Sequence, residues 1–142
     1  MTYSIVVIED SQDDIFLIRE ALTGAGFEFS LHVIEESEQV TAALSGAMKP
    51  QPDFWLVDLN LPKADGFAII QMVRANANHA TTPVLAISSS DSQRDREQAH
   101  KAGATAYFCK PLDLDEFMKL GGLVSSLLDA KSPVDPESRE PE

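Results

Sequence analysis

Residues 54–62 read Phe-Trp-Leu-Val-Asp-Leu-Asn-Leu-Pro. An unbroken apolar run such as Phe54-Trp55-Leu56-Val57 marks a strand buried on both faces, because a half-exposed strand would alternate with polar residues. The run delivers a carboxylate, Asp58, and is broken at once by Asn60-Leu61-Pro62. Proline has no backbone donor and restrains the residue before it, so the strand stops there. Asp65-Gly66 then opens a predicted helix through about Asn76, with Ile69, Met72 and Val73 on one face.

The same unit recurs on either side. Upstream, Ile5-Val6-Val7-Ile8 is a first buried strand. Ser11 caps a helix in which Ile15, Ile18, Leu22 and Ala25 recur at helical spacing, and Gly24 and Gly26 end it. Phe29 to Val33 is a second strand. Val40, Ala43, Leu44 and Ala47 line a second helix, closed off by Pro50 and Pro52.

Downstream, Pro83 to Ile87 is a fourth strand ending at Ser88. Arg94 to Ala102 reads as a helix with only Ala99 and Ala102 on its inner face, so it should be the least firmly packed. Thr105 to Cys109 is a fifth strand. Leu114, Phe117, Met118, Gly121 and Leu128 mark a last helix. Gly121-Gly122 should weaken it by on the order of 1 kcal/mol per glycine relative to alanine. This alternation predicts an α/β fold, a parallel sheet with helices on both faces and right-handed crossovers. One domain is expected over 1–130. Residues 131–142, rich in Ser, Pro, Asp and Glu, read as a tail that by itself buries too little surface to order.

In open α/β sheets, sites form beyond the carboxyl ends of the strands. Here those ends carry Glu9-Asp10, Asp58, Ser88 and Cys109-Lys110-Pro111. Three carboxylates, a hydroxyl and an amine should therefore share one edge. Carboxylates so packed repel one another, and one is driven protonated unless a cation intervenes. Magnesium suits the set, being hard and bound by one or two carboxylates plus waters and phosphate oxygens. Each position also has a plainer reading. Glu9 and Asp10 could cap the first helix, Asp58 a loop, and Lys110 could lie along a surface edge.

Composition narrows the partners. The formal net charge is −12, which repels nucleic-acid phosphates and anionic lipid, so neither is expected as a partner. Met1 to Ile8 lacks a basic n-region and does not read as a signal peptide, and no stretch approaches the roughly 20 apolar residues of a membrane span. A single cysteine, Cys109, has no intramolecular disulfide partner. The expectation is a cytoplasmic protein. His32, His79 and His100 have no ligand spacing and read as surface or boundary residues. The acidic loop from Glu9 to Asp14 excludes a flavodoxin-like cofactor site, because a phosphate there would be repelled without a metal.

On these residues, the chain over roughly Tyr3 to Leu128 resembles the receiver domains of two-component response regulators. The resemblance rests on Glu9-Asp10, the turn from Asp58 to Pro62 with Asp65-Gly66 after it, Ser88, and Tyr107 followed by Lys110-Pro111. Intervals of 30 residues from Asp58 to Ser88 and 22 from Ser88 to Lys110 suit the family. Glu9-Asp10-Ser11 and the run Leu59 to Lys63 are similar to stand-alone receivers that serve phytochrome-type sensor kinases.

The resemblance implies a doubly wound, flavodoxin-like sheet of strand order 2-1-3-4-5 with five helices. It implies that Asp58 takes a phosphoryl group from a sensor histidine kinase or a phosphotransfer protein, with Lys110 and Ser88 contacting the phosphoryl oxygens. Mg2+ would be held by Glu9, Asp10, Asp58 and the Asn60 carbonyl. Such a protein catalyses its own phosphotransfer and dephosphorylation rather than acting on an external substrate. Ser88 and Tyr107 would form the switch, the Lys110–Pro111 bond would be cis, and output would pass to a downstream protein or a homodimer. Two other classes are weighed against it. A phosphorylation-independent interaction module would lose an acidic, lysine or acceptor position, and none is lost. A hydrolase of the haloacid dehalogenase kind would need an Asp-x-Asp loop, which the turn after Asp58 lacks.

Overall fold

The computed structural model describes residues 2–36, 38–46 and 48–131. Five strands alternate with five α-helices: β1 (Thr2–Ile8), α1 (Gln12–Gly24), β2 (Glu28–Ile34), α2 (Glu38–Leu44), β3 (Phe54–Asp58), α3 (Gly66–Ala75), β4 (Val84–Ser88), α4 (Gln93–Ala102), β5 (Ala106–Cys109) and α5 (Leu114–Lys131), with a 3-10 turn at Ala77–His79. All strand pairings are parallel, in the order β2-β1-β3-β4-β5. This is the doubly wound sheet expected from the sequence.

The two-residue period of a strand sends alternate side chains to opposite faces. Val6, Ile8, Trp55, Val57, Val84 and Ala86 join one apolar cluster, with α2, α3 and α4 over it. Ile5, Val7, Phe54, Leu56, Leu85 and Ile87 join the other, under α1 and α5. That is why β1, β3 and β4 read as continuous apolar runs: both of their faces are covered. β5 is an edge strand and only half-buried. Its neighbour α4 buries just Ala99 and Ala102, as its composition predicts.

Helix starts follow their caps. The Ser11 side chain accepts the Asp14 N–H, the Asp65 side chain accepts those of Phe67 and Ala68, and the Ser92 side chain accepts that of Asp95. Gly66 is set by contact. A Cβ there would stand 2.7 Å from the Asp58 carbonyl oxygen and 2.8 Å from Leu59 Cα, so the start of α3 can abut the end of β3 only without a side chain.

Several expectations change. On α3 it is Ile70, not Met72, that is buried with Ile69 and Val73; Met72 is 40% exposed. On α5 Leu114 lies outside the core and Leu120 and Val124 lie inside it. A helical period fixes the width of an apolar stripe but not which flank is covered. His79 is buried rather than at the surface, its ring edge-on to Trp55 at 5.5 Å and its Nδ1 3.1 Å from Thr82 Oγ1. Gly121 is a packing position rather than a mere weak point, because a Cβ there would lie 2.0 Å from the Ala21 carbonyl oxygen of α1. Among the described residues the cis X-Pro bond is Lys49–Pro50, and Lys110–Pro111 is trans. Trans is the ordinary preference of an X-Pro amide. Ala47 and the tail from 132 lie outside the described residues.

Candidate functional site

The strand register assembles the site. Ile8 pairs with Val57, Asp58 with Ile87 and Ser88 with Cys109, so the residues just after β1, β3, β4 and β5 stand side by side. Backbone bonds carry the ladder one step further, from Glu9 N to Ile34 O at 3.1 Å, Leu59 N to Ile87 O at 2.8 Å and Lys110 N to Ser88 O at 2.7 Å. The functional side chains thus leave from the last rigid positions of the sheet.

Lys110 is the hub. Its Nζ donates to Asp14 Oδ2 at 2.8 Å, Glu9 Oε1 at 3.1 Å and Asp58 Oδ2 at 3.2 Å. Glu9 and Asp58 are buried, Asp14 is half-buried, and Asp10 is exposed at the mouth. Burial works against the lysine's charge, but the Asp14 hydrogen bond and the charges of Asp58 and Glu9 outweigh it and lift its pKa above the ordinary lysine range.

Glu9 shows the cost of the crowding. Burial, a hydrogen bond with Asp58 and the Asp58 charge push its carboxyl up to about 7, while Lys110 and the Ser11 N–H pull the other way. Glu9 Oε2 also accepts the N–H groups of Asp10 and Ser11, both at 3.1 Å, at the start of α1. Asp58 Oδ1 accepts the Asn60 N–H at 2.8 Å. One carboxylate oxygen from each of Glu9, Asp10 and Asp58 lies within 4.8 Å of the others. Such a set of hard oxygens, with one acid driven toward its neutral form, fits a divalent cation of the magnesium or manganese type.

On the other side of Asp58, the buried Ser88 hydroxyl donates to Asn60 Oδ1 at 3.0 Å and accepts the Ser90 N–H at 3.0 Å. Tyr107 packs against the core from β5, its hydroxyl donating to Ser90 O at 2.7 Å. The Arg96 guanidinium lies 4.7 Å above the Tyr107 ring and pairs with Asp91. A chain of contacts therefore runs from Asn60 through Ser88 and Ser90 to Tyr107 and α4.

All the residues picked out in the sequence, Glu9, Asp10, Asp58, Asn60, Ser88, Tyr107 and Lys110, lie along this edge. Asp14 was missed. Its signal was the third helical position after the Ser11 cap, where an acid ordinarily reaches back to the cap N–H. Glu9 already holds that N–H, leaving the Asp14 carboxylate to Lys110.

A family model described as the response regulator receiver domain matches residues 5–120. The chain is 30% identical over 114 residues to RpaA of Synechocystis, a DNA-binding dual master transcriptional regulator, covering 80% of this chain and 45% of that protein. It thus spans less than half the length of that relative. It is 25% identical over 119 residues to the polar-differentiation response regulator DivK of Brucella ovis, covering 84% of this chain and 93% of that one. Among solved structures, the phosphorylated cyanobacterial phytochrome response regulator RcpA superposes with a TM-score of 0.81 at 25% identity, covering 92% of this chain and 96% of that one. The Mn(2+)-bound response regulator Rcp1 superposes with a TM-score of 0.78 at 25% identity, covering 94% and 97%.

Proposed function

The chain belongs to the response regulator receiver domain family, and from that premise we propose that it is a phosphorylation switch whose acceptor is Asp58. The observation that carries this reading is the Lys110 ammonium held between Asp58 and Glu9 in a buried carboxylate pocket. An Asp58 carboxylate oxygen attacks the phosphorus of a phosphohistidine on a sensor kinase or phosphotransfer protein. The new O–P bond forms as the P–N bond breaks, and the imidazole leaves with the electron pair. The protein contributes position and charge, which is most of what phosphoryl transfer requires.

Glu9, Asp10, Asp58 and the Asn60 carbonyl would hold Mg2+, which when bound neutralises carboxylates and phosphoryl oxygens. Lys110 then serves as a point charge for the phosphoryl group. The Ser88 hydroxyl supplies a neutral donor once it leaves Asn60. A phosphoryl group adds roughly 1.5 to 2 negative charges and three acceptor oxygens, enough to draw Ser88 over. The contacts from Ser88 through Ser90 to Tyr107 would carry that change to the surface of α4, β5 and α5, where a downstream protein or a second copy binds.

Phe16 on α1, Leu112 in the turn before α5 and Leu114 at its start are large apolar side chains left exposed. α1 and α5 both start beyond the strand ends that carry the site, and these exposed apolar residues suit a docking kinase helix. A phytochrome-type kinase is the favoured donor, on the motif likeness and the similarity to RcpA. No helix among the described residues is long and apolar enough to cross a membrane. A cytoplasmic place fits this and the single cysteine.

The test is incubation with acetyl phosphate and Mg2+, read by intact mass. One added phosphate on the wild-type chain, absent from Asp58→Asn and absent without Mg2+, is expected. Failure of the wild type to take up either phosphate or the phosphoryl mimic beryllofluoride would leave the phosphorylation-independent module as the better reading.

A further inference from the structure

We propose that Asp14 is a positioning residue that gives the Lys110 ammonium a counterion outside the metal-binding carboxylates, so that a divalent cation and the lysine can occupy the pocket together. The proposal deepens the functional reading above and rests on it.

An ammonium has three protons, and Lys110 places them on Asp14, Glu9 and Asp58. Glu9 and Asp58 belong to the carboxylate triplet with Asp10; Asp14 does not. The lysine and a divalent cation would thus draw on the same two buried carboxylates and repel each other across them. The shortest of the three lysine contacts, 2.8 Å, is the one to Asp14, outside the triplet. Asp14 gives the ammonium a counterion that the cation does not need.

The start of α1 explains why this carboxylate is available. The Ser11 hydroxyl caps the Asp14 N–H at 3.2 Å, while Glu9 Oε2 takes the Ser11 N–H at 3.1 Å. The usual target of an acid at this position is already occupied, and Asp14 turns to Lys110, 96 residues away in sequence. Without the Asp14 charge, the ammonium relies on Glu9 and Asp58 alone and competes with the cation for them. Asparagine at this position keeps the size and a carbonyl acceptor and removes only the charge. Asp13, exposed on the same turn, controls for charge as such.

The experiment is a Mg2+ titration of the full chain followed by amide chemical shifts, on wild type, Asp14→Asn, Asp13→Asn, Lys110→Met and the Asp14→Asn/Lys110→Met pair. Asp14→Asn should weaken Mg2+ binding by roughly three- to tenfold, within the coupling seen between members of one ion-pair network. Asp13→Asn should do less. In the Lys110→Met background, the Asp14→Asn effect should shrink to that of Asp13→Asn, because the ammonium it restrains is gone. An unchanged affinity in Asp14→Asn, or an equal loss with and without Lys110, overturns the proposal while leaving the functional reading intact. A wild-type chain that takes up no Mg2+ overturns both.

Discussion

The Asn60 side-chain oxygen accepts the Ser88 hydroxyl at 3.0 Å. It also accepts the Ser89 N–H at 2.9 Å, and a backbone N–H can only donate, so the orientation of the amide is settled. The one proton of Ser88 is therefore engaged away from Asp58.

This latch has a measurable consequence. Asn60→Ala frees the hydroxyl and leaves the Asn60 carbonyl in place. Affinity for beryllofluoride should rise about fivefold, the worth of one net hydrogen bond of about 1 kcal/mol. Ser88→Ala, which removes the donor itself, should lower it by a similar factor. Calorimetric titration of both variants with Mg2+ present checks the pair, and a fall in Asn60→Ala would refute the latch.

Lys110→Met keeps a long side chain and removes the charge that Glu9, Asp14 and Asp58 share. Phosphorylation by acetyl phosphate should slow by roughly 10- to 100-fold, the worth of a charge-assisted hydrogen bond. A time course of intact mass measures it, and a rate within twofold of wild type would remove the lysine from the chemistry.

The two adjacent glycines of α5 should respond in opposite directions. Gly121→Ala drives a methyl into the Ala21 carbonyl of α1 and should cost about 1–3 kcal/mol. Gly122 has no atom within 4 Å of a built Cβ, so Gly122→Ala should gain up to about 1 kcal/mol of helix propensity. Urea denaturation of the two variants decides it.

His79 links stability to pH. Burial and the charge of Arg74 hold its pKa below the ordinary 6.5, so the folded chain keeps the ring neutral. Below that value the unfolded chain takes up a proton first. The contribution is complete above about pH 6.5 and is lost as pH falls toward the lower folded value. The raised Glu9 carboxyl works in the opposite direction over the same range, so the His79 share is read as a difference: from about pH 7.5 to 5.5 the wild-type urea midpoint should fall more, or rise less, than that of His79→Gln. An identical slope in the variant would assign it to other groups.

The amino-acid sequence by itself determined the five strands, the alternation with helices and the edge at which chemistry gathers. Each of these follows from local pattern. Val6, Trp55 and Val84 sit in runs with no polar residue, and Glu9, Asp58 and Ser88 terminate such runs. Only the tertiary structure decided which carboxylate holds Lys110, that His79 is interior, that Met72 and Leu114 face outward, and that Gly121 is a contact rather than a flaw. Each depends on an atom far along the chain or on a neighbouring element: Asp14 for Lys110, Trp55 for His79, Ala21 for Gly121. Periodicity shows that a face is apolar, but distance in three dimensions decides what that face meets, and burial and charge at that meeting set the chemistry.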